Sequence, residues 1–520
     1  MPRAEDAYYI TTPIYYVNDS PHIGHAYTTL ACDALARFAR LDGRRVKFLT
    51  GTDEHGQKVE KSAAAAGEET HAFVERMSKR FEDLAKFMNF SNDDFIRTTE
   101  ERHIRSVQKL WREIDANGHI YLGSYAGWYS VRDEAYYAED ELIDGPGGEK
   151  VGPTGAPVEW VEEPSYFFRL SAFEQPLLDY YAKGAVGPES RHNEVKSFVE
   201  GGLRDLSISR TTFDWGVPVP DDPDHVMYVW LDALTNYLSA VGYPDTETDD
   251  YKTFWPGDHM VGKDIVRFHA VYWPAFLMAA GIEPPNLVYA HGWWTNEGQK
   301  ISKSLGNVID PYDIVETYGL DQIRYFLLRE VPFGNDGDFS HRAVVGRMNA
   351  DLANDFGNLA QRVLSMIAKN CAGAVPEPSA FTDADKALLD GCVGLTQSMR
   401  QKVFDHQFHL ALGHHGELVT AANRYVDDQA PWALRKTDPE RMATVLYVLA
   451  ETIRNLAMLA HPVMPDACDR MLGQLAVEPG TWTFKNNIYP KGGLVPGTAL
   501  PKPEPVFAKL VDADADEGGA

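Results

Sequence analysis

The sequence predicts an α/β fold: a parallel sheet of Rossmann type, split by an inserted segment and followed by an α-helical bundle. Three observations predict it. An aromatic and β-branched run at residues 8–16 precedes apolar residues at helical spacing and then Val46-Lys47-Phe48-Leu49-Thr50, a β-α-β pattern. Residues 118–220 shift to Gly, Pro, Tyr and short strand-like pieces. Beyond Arg347 the positions Leu352, Phe356, Leu359, Val363 and Ile367 form one helical stripe.

Taken in order, Ser20 suits a helix N-cap and Pro21 the first helical position. Ile23, Tyr27, Leu30, Ala34, Phe38 and Leu41 then follow helical spacing, and Gly43 ends the helix. Ligands bind at the carboxyl ends of parallel strands, where His22 and Gly51-Thr52-Asp53-Glu54-His55-Gly56 both fall. Helical patterns cover residues 71–117. The α/β pattern returns at 226–230 and at 258–262. Helices run on to Leu459. After Pro465 the chain reads as an extended Pro- and Gly-rich segment with an acidic tail, Asp512-Ala513-Asp514-Ala515-Asp516-Glu517, expected to be disordered. The expected boundaries are 1–117 and 226–292 for two halves of the sheet domain and 118–225 for the insertion. A linking region is expected at 293–346, the helical domain at 347–465 and the extended segment at 466–520.

A chain of 520 residues is too long for one core, so several domains are expected. Its start lacks a basic region followed by an apolar run, so no signal peptide is expected. The most apolar stretch, 268–280, is too short to span a bilayer and is broken by Pro274, so no membrane partner is expected. Cys32, Cys371, Cys392 and Cys468 are scattered and form no C-x-x-C pair, which fits a reducing cytoplasm. A net charge of −27 argues by itself against nucleic acid, but binding depends on local patches rather than on the sum.

Two short stretches carry the chemistry. His22 and His25 lie three apart at a predicted helix N-terminus, whose N–H groups and positive potential favour phosphate. Gly24 between them lets a nucleotide approach closely. Lys300 and Lys303 flank serines in a loop and suit the charge of departing pyrophosphate. Alone, the first reads equally well as a solvated helix turn, and the second reads better as an exposed polar loop. Together, on the expected elements, they suggest adenylyl transfer from ATP.

Pro21-His22-Ile23-Gly24-His25 and Lys300-Ile301-Ser302-Lys303-Ser304 resemble the HIGH and KMSKS signatures of the class I aminoacyl-tRNA synthetases. Ile301 replaces the methionine of the second, an apolar exchange outside the lysines. The resemblance implies ATP with magnesium as co-substrate and transfer to the 2'-hydroxyl of a tRNA. It also implies that 118–225 is a connective-peptide insertion and 293–346 a stem-contact region. Gly202-Leu203-Arg204-Asp205-Leu206-Ser207-Ile208-Ser209-Arg210 is similar to the family's exit segment.

Pocket chemistry addresses which amino acid is used. Candidate wall residues are Ile14, Tyr16, Trp230, Ala233, Leu234, Tyr237, Ile265, Phe268 and His269, an apolar and aromatic set that suits an unbranched thioether, although without the two signatures these aromatics read better as core. Tyr237 and His269 offer a weak hydrogen bond to sulfur, and Asp53 suits the substrate's ammonium. Pro13-Ile14-Tyr15-Tyr16-Val17-Asn18, the Asp53 segment, Val229-Trp230-Leu231-Asp232-Ala233 and Gly262-Lys263-Asp264-Ile265-Val266-Arg267-Phe268-His269 resemble the methionyl-tRNA synthetase family. That resemblance implies that Ile14, Asp53, Trp230, Tyr237, Phe268 and His269 hold methionine. It also implies that Gly262 and Asp264 help hold adenosine, Asp264 through the ribose. Asn358, Arg362 and Trp432 match its anticodon-reading residues, by base-edge hydrogen bonds and stacking, which implies tRNA(Met) with a CAU anticodon.

One departure stands out. Ser130 and Asp133 occupy positions where a zinc knuckle of the family has cysteines, so no zinc is expected. No appended dimerisation module follows the helices, and a monomer is expected. Synthetases for valine, leucine or isoleucine would need more room for editing than this insertion gives. A non-catalytic tRNA-binding paralogue would not need His22, His25, Lys300 and Lys303.

Overall fold

The computed structural model describes residues 6–133, 135–145, 147–301 and 307–510. Contacts divide the chain into two compact units, residues 1–21 with 46–291 and residues 22–45 with 292–520.

The first unit is built on a seven-stranded sheet of β1 (Ala7–Thr11), β2 (Tyr15–Tyr16), β3 (Arg45–Asp53), β4 (Asp94–Arg97), β5 (Val186–Gly187), β6 (Asp258–Gly262) and β7 (Leu287–His291). The strand order is β5-β7-β6-β1-β3-β2, with β4 also on β3. The β1–β6, β6–β7, β5–β7, β2–β3 and β3–β4 pairs are all parallel. Tyr9, Ile10, Phe48, Leu49, Met260, Val261, Val288 and Ala290 are fully buried, which is why these strands read as continuous apolar runs.

Three local expectations change here. The single strand expected over 8–16 breaks after Thr11, because Pro13 has no N–H for a ladder. The helical region expected over 71–117 contains β4, a short strand between the helices Thr70–Phe87 and Glu101–Ala116. The segment 226–230 does not rejoin the parallel sheet. It ends an antiparallel strand, Asp222–Met227, and opens the helix Val229–Leu234.

Within residues 118–225, where Val186–Gly187 joins the parallel sheet as β5, Ile120–Ser130 and Glu159–Phe168 form an antiparallel pair. At its tip, Asp133 is a polar hub. Its carboxylate accepts from Tyr137 Oη at 2.9 Å, from Arg132 Nε at 3.1 Å and from the Thr154 hydroxyl, while its N–H donates to Ser130 Oγ at 3.3 Å. Arg132 closes the ring onto Thr154 Oγ1 at 2.6 Å. Among the described residues no cluster of three or more His, Cys, Asp and Glu side chains is placed to hold a metal.

The second unit holds the helix Ile23–Leu41, a three-stranded sheet of Trp294–Asn296, Gln299–Lys300 and Gly337–Phe339, and a helical bundle. The expected stripe of Leu352, Phe356, Leu359, Val363 and Ile367 is buried, although it passes through a π-helical stretch at Met348–Gly357. Among the described residues one helix, Pro439–Ala460, is long and apolar enough to cross a membrane, but 89% of its apolar window is buried within the protein. Beyond it, Pro465 opens another helix, Pro465–Gln474, where the sequence reading placed extended chain. Proline at the first helical turn loses no hydrogen bond there. The helix Ile23–Leu41 is tied into this unit by Asp33, which is fully buried and paired with the equally buried Arg324 at 2.6 Å.

Candidate active site

In the first unit the predicted wall residues meet around two short helical pieces. The Trp230 ring lies flat on Phe268, with centroids 3.7 Å apart and planes 6° apart. Phe268 and His269 sit in a π-helical turn, Phe268–Tyr272, and Trp230, Ala233 and Leu234 in Val229–Leu234. Ala233, Leu234 and Tyr237 are buried, while Ile14, Tyr16, Trp230 and Ile265 are half-buried against the same core. Tyr16 and Asp53 are register partners across β2 and β3, and Asp53 is buried at the carboxyl end of β3.

The protons at Tyr237 and His269 can be placed. His269 Nδ1 lies 3.0 Å from the Ile265 carbonyl, which only accepts, so Nδ1 carries a hydrogen. Burial pushes this ring down to about 4, so it is neutral near pH 7 and its Nε2 is an acceptor. The Tyr237 hydroxyl, 2.8 Å away, therefore donates to His269 Nε2. The sequence reading gave these side chains to sulfur. In this arrangement both protons already have acceptors. Tyr237 is held from its other face by His259, stacked at 3.9 Å.

Gly262 ends β6, and a Cβ there would come 2.5 Å from Asp264 Oδ1. Glycine leaves that carboxylate its place without a shift. Asp264 follows in the turn Lys263–Ile265.

Sequence reasoning missed the buried polar network behind these residues. Glu54, fully buried, takes Arg97 on both oxygens at 2.7 and 3.1 Å. Asp232, 1% exposed, takes His55 Nδ1 and His103 Nε2, each at 2.7 Å. Burial alone would raise the Asp232 carboxyl, but the two histidines outweigh it and hold it at about 2. The available signal was an aspartate inside the apolar run Val229-Trp230-Leu231-Asp232-Ala233-Leu234.

In the second unit, His22 rather than Ser20 caps the first helix. Its Nδ1 accepts from Gly24 N at 3.1 Å, and His25 Nδ1 accepts from His22 N at 3.1 Å, a reciprocal capping box built from two imidazoles. The helix therefore begins at Ile23. The rings lie 3.9 Å apart. Burial, reinforced by His22, lowers His25 well below its usual value. With Nδ1 accepting, each neutral ring carries its proton on Nε2. A Cβ on Gly24 would sit 2.9 Å from His22 Cε1, so the glycine makes room for the cap itself. Lys300 ends the hairpin strand Gln299–Lys300, where its backbone pairs with Thr295. Lys303 lies outside the described residues.

In the bundle, Asn358 is exposed at the start of the helix Asn358–Asn370. Arg362 reaches Asp427 Oδ1 at 2.9 Å on the helix Phe408–Gln429. That helix stops at Ala430, whose φ of 45° precedes Pro431, and Trp432 follows at 51% exposure. A large aromatic left this open on a soluble surface suits stacking on an unpaired base.

Comparison with known proteins extends these observations over the whole length. The sequence profile described as tRNA synthetases class I (M) matches residues 8–364, and that of the anticodon binding domain of methionyl tRNA ligase matches residues 375–518. A methionine–tRNA ligase of Brucella suis is 56% identical over 514 residues, 98% of this chain and 99% of that one. One from Mycobacterium tuberculosis is 52% identical over 520 residues, 98% of this chain and 99% of that one. The solved structure of Mycobacterium tuberculosis methionyl-tRNA synthetase in complex with methionyl-adenylate is similar at a TM-score of 0.94 and 52% identity, covering 96% of this chain and 99% of that one. The free-state structure of the Mycobacterium tuberculosis protein is similar at 0.88 and 48% identity, covering 98% and 100%.

Proposed function

Since the chain belongs to the methionyl-tRNA synthetase family of class I, and so activates methionine with ATP and charges tRNA with it, we propose how its own residues divide that work. Methionine enters with its ammonium on Asp53 and its side chain among Ile14, Tyr16, Trp230, Ala233, Leu234, Tyr237, Ile265, Phe268 and His269. The Trp230–Phe268 stack and the neutral Tyr237–His269 pair give an unbranched thioether a polarizable wall without charge. Gly262 and Asp264 take adenosine, Asp264 through the ribose.

The methionine carboxylate attacks the α-phosphate of ATP in line. Its oxygen–phosphorus bond forms as the bond to pyrophosphate breaks. His22 and His25 donate Nε2–H to phosphate oxygens, and the neutral state of His25 keeps the pair from repelling itself. Lys300 and Lys303 hold the departing charge, with magnesium travelling on the ATP. The tRNA 2'-hydroxyl then attacks the carbonyl of methionyl-adenylate, and AMP leaves. Asn358, Arg362 and Trp432 read a CAU anticodon. The protein works as a monomer in the cytoplasm.

The observation that carries this division is the imidazole capping box. Using both Nδ1 atoms as acceptors fixes both donor protons on Nε2. Amino-acid-dependent pyrophosphate exchange across the twenty amino acids tests the substrate reading. Exchange is expected to be strongest with methionine, and a stronger signal with any other amino acid overturns it.

A further inference from the structure

We infer that Asp232 is a positioning residue for methionine: one buried carboxylate that fixes the spacing between the ammonium end and the thioether end of the pocket. The inference rests on the assignment of Asp53 and the aromatic wall to methionine.

Three segments that carry wall residues converge on this carboxylate. Through Oδ2 it holds His55 Nδ1, in the loop that begins with Asp53 at the end of β3. The carbonyl of the same His55 accepts the Tyr16 hydroxyl at 3.0 Å, so Tyr16 is tied to that loop too. Through Oδ1, Asp232 holds His103 Nε2 on the helix Glu101–Ala116. His103 Nδ1 in turn meets Ser239 Oγ at 3.2 Å, on the short helix Asn236–Ser239 that carries Tyr237. Asp232 itself lies between Trp230 and Ala233 on Val229–Leu234. Asp53 and Tyr16, Trp230 and Ala233, and Tyr237 are thus fastened to one another through one side chain.

A role in stability alone does not explain such a construction. Leu231 and Leu238, close to it in sequence, are fully buried, and apolar side chains in place of Asp232, His55 and His103 together would avoid the cost of burying a charge. What a carboxylate adds is direction. Two charge-assisted bonds of 2.7 Å set where His55 and His103 stand in a way that packing does not. Discrimination among unbranched substrates turns on such spacing, because one methylene in an apolar pocket is worth roughly 10- to 200-fold in selectivity.

The test is pyrophosphate exchange by the full-length chain with methionine and with ethionine, which is one methylene longer. Asp232→Asn keeps the shape and removes the charge. Its KM for methionine is expected to rise about tenfold, the loss expected for a charged hydrogen bond, with kcat and the KM for ATP nearly unchanged. Its preference for methionine over ethionine is expected to fall. His103→Ala should follow Asp232→Asn. His103→Gln, whose amide N–H can stand where Nε2–H does, should restore most of the affinity, and the His103 pair keeps the test decisive if Asp232→Asn fails to fold. An unchanged methionine KM and unchanged ethionine preference in folded Asp232→Asn and His103→Ala overturns the inference. So does an equal loss toward ATP, which marks general loosening. Asp53→Asn separates the two levels: a large rise in its methionine KM supports the site, and if its KM is unchanged the assignment of the ammonium fails and the inference falls with it.

Discussion

In the proposed function, a single hydroxyl proton decides how the thioether is met. Tyr237 gives that proton to His269, because the Ile265 carbonyl has already claimed the hydrogen on the other ring nitrogen. In the proposed function, sulfur then meets flat polarizable rings rather than a donor. Norleucine, which replaces sulfur with a methylene, measures this directly. Tyr237→Phe should leave the ratio of methionine to norleucine in pyrophosphate exchange within about twofold, since a lost donor to sulfur would shift that ratio by more. A collapse of the ratio would return the proton to sulfur. The identities of these residues were legible in the sequence. The direction of the hydrogen bond was not, because it depends on a carbonyl presented at the irregular join between the turn Lys263–Ile265 and the π-helix Phe268–Tyr272. Asp232, His55 and His103 were hidden for a related reason: the three come from sequence positions far apart, and no local pattern announces a carboxylate that two distant histidines will meet.

At the scale of one element, the helix Ile23–Leu41 combines two duties in two residues. His22 and His25 start the helix and, in the proposed function, donate to phosphate. The duties can be separated. Asparagine is a strong N-cap, so His22→Asn should melt like the parent chain yet form adenylate far more slowly. His22→Ala should lose the same activity and about 1 kcal/mol of stability as well. Thermal melts beside single-turnover adenylate formation check both, and normal adenylate formation by His22→Asn would confine His22 to the cap. The helix itself was plain from its apolar spacing, but its start was misplaced onto Ser20 and Pro21, the more usual signals. An imidazole cap gives no such signature, since its acceptor nitrogen depends on the tautomer. Strand Asp94–Arg97 escaped notice because four residues between two amphipathic helices are too few to show alternation.

Across the whole molecule, buried histidines set the fold against acid. Burial pushes His269, His406 and His415 down to about 4, and lowers His25 and His259 as well. Each binds its proton more readily in the unfolded chain, so each favours the folded state above about 6.5 and loses that contribution as pH falls toward 4. The limit is about 3 kcal/mol per histidine for the three near 4. Asp321, raised by burial to about 6, and Asp355, also raised by burial, work in the opposite sense over part of the range, but they are two groups against five histidines. The melting temperature should therefore drop steadily from pH 6.5 to 4, as read by scanning calorimetry. A flat profile down to pH 4.5 would show these rings protonated in the folded chain. The α/β class and the helical bundle were legible at this scale because apolar periodicity survives over long segments. The hub at Asp133 was visible only as two missing cysteines. Its consequence is oxidative. The hub is held by oxygen and nitrogen atoms, which peroxide does not convert and a chelator does not strip. An oxidant that attacks thiolates finds no sulfur among these partners of Asp133.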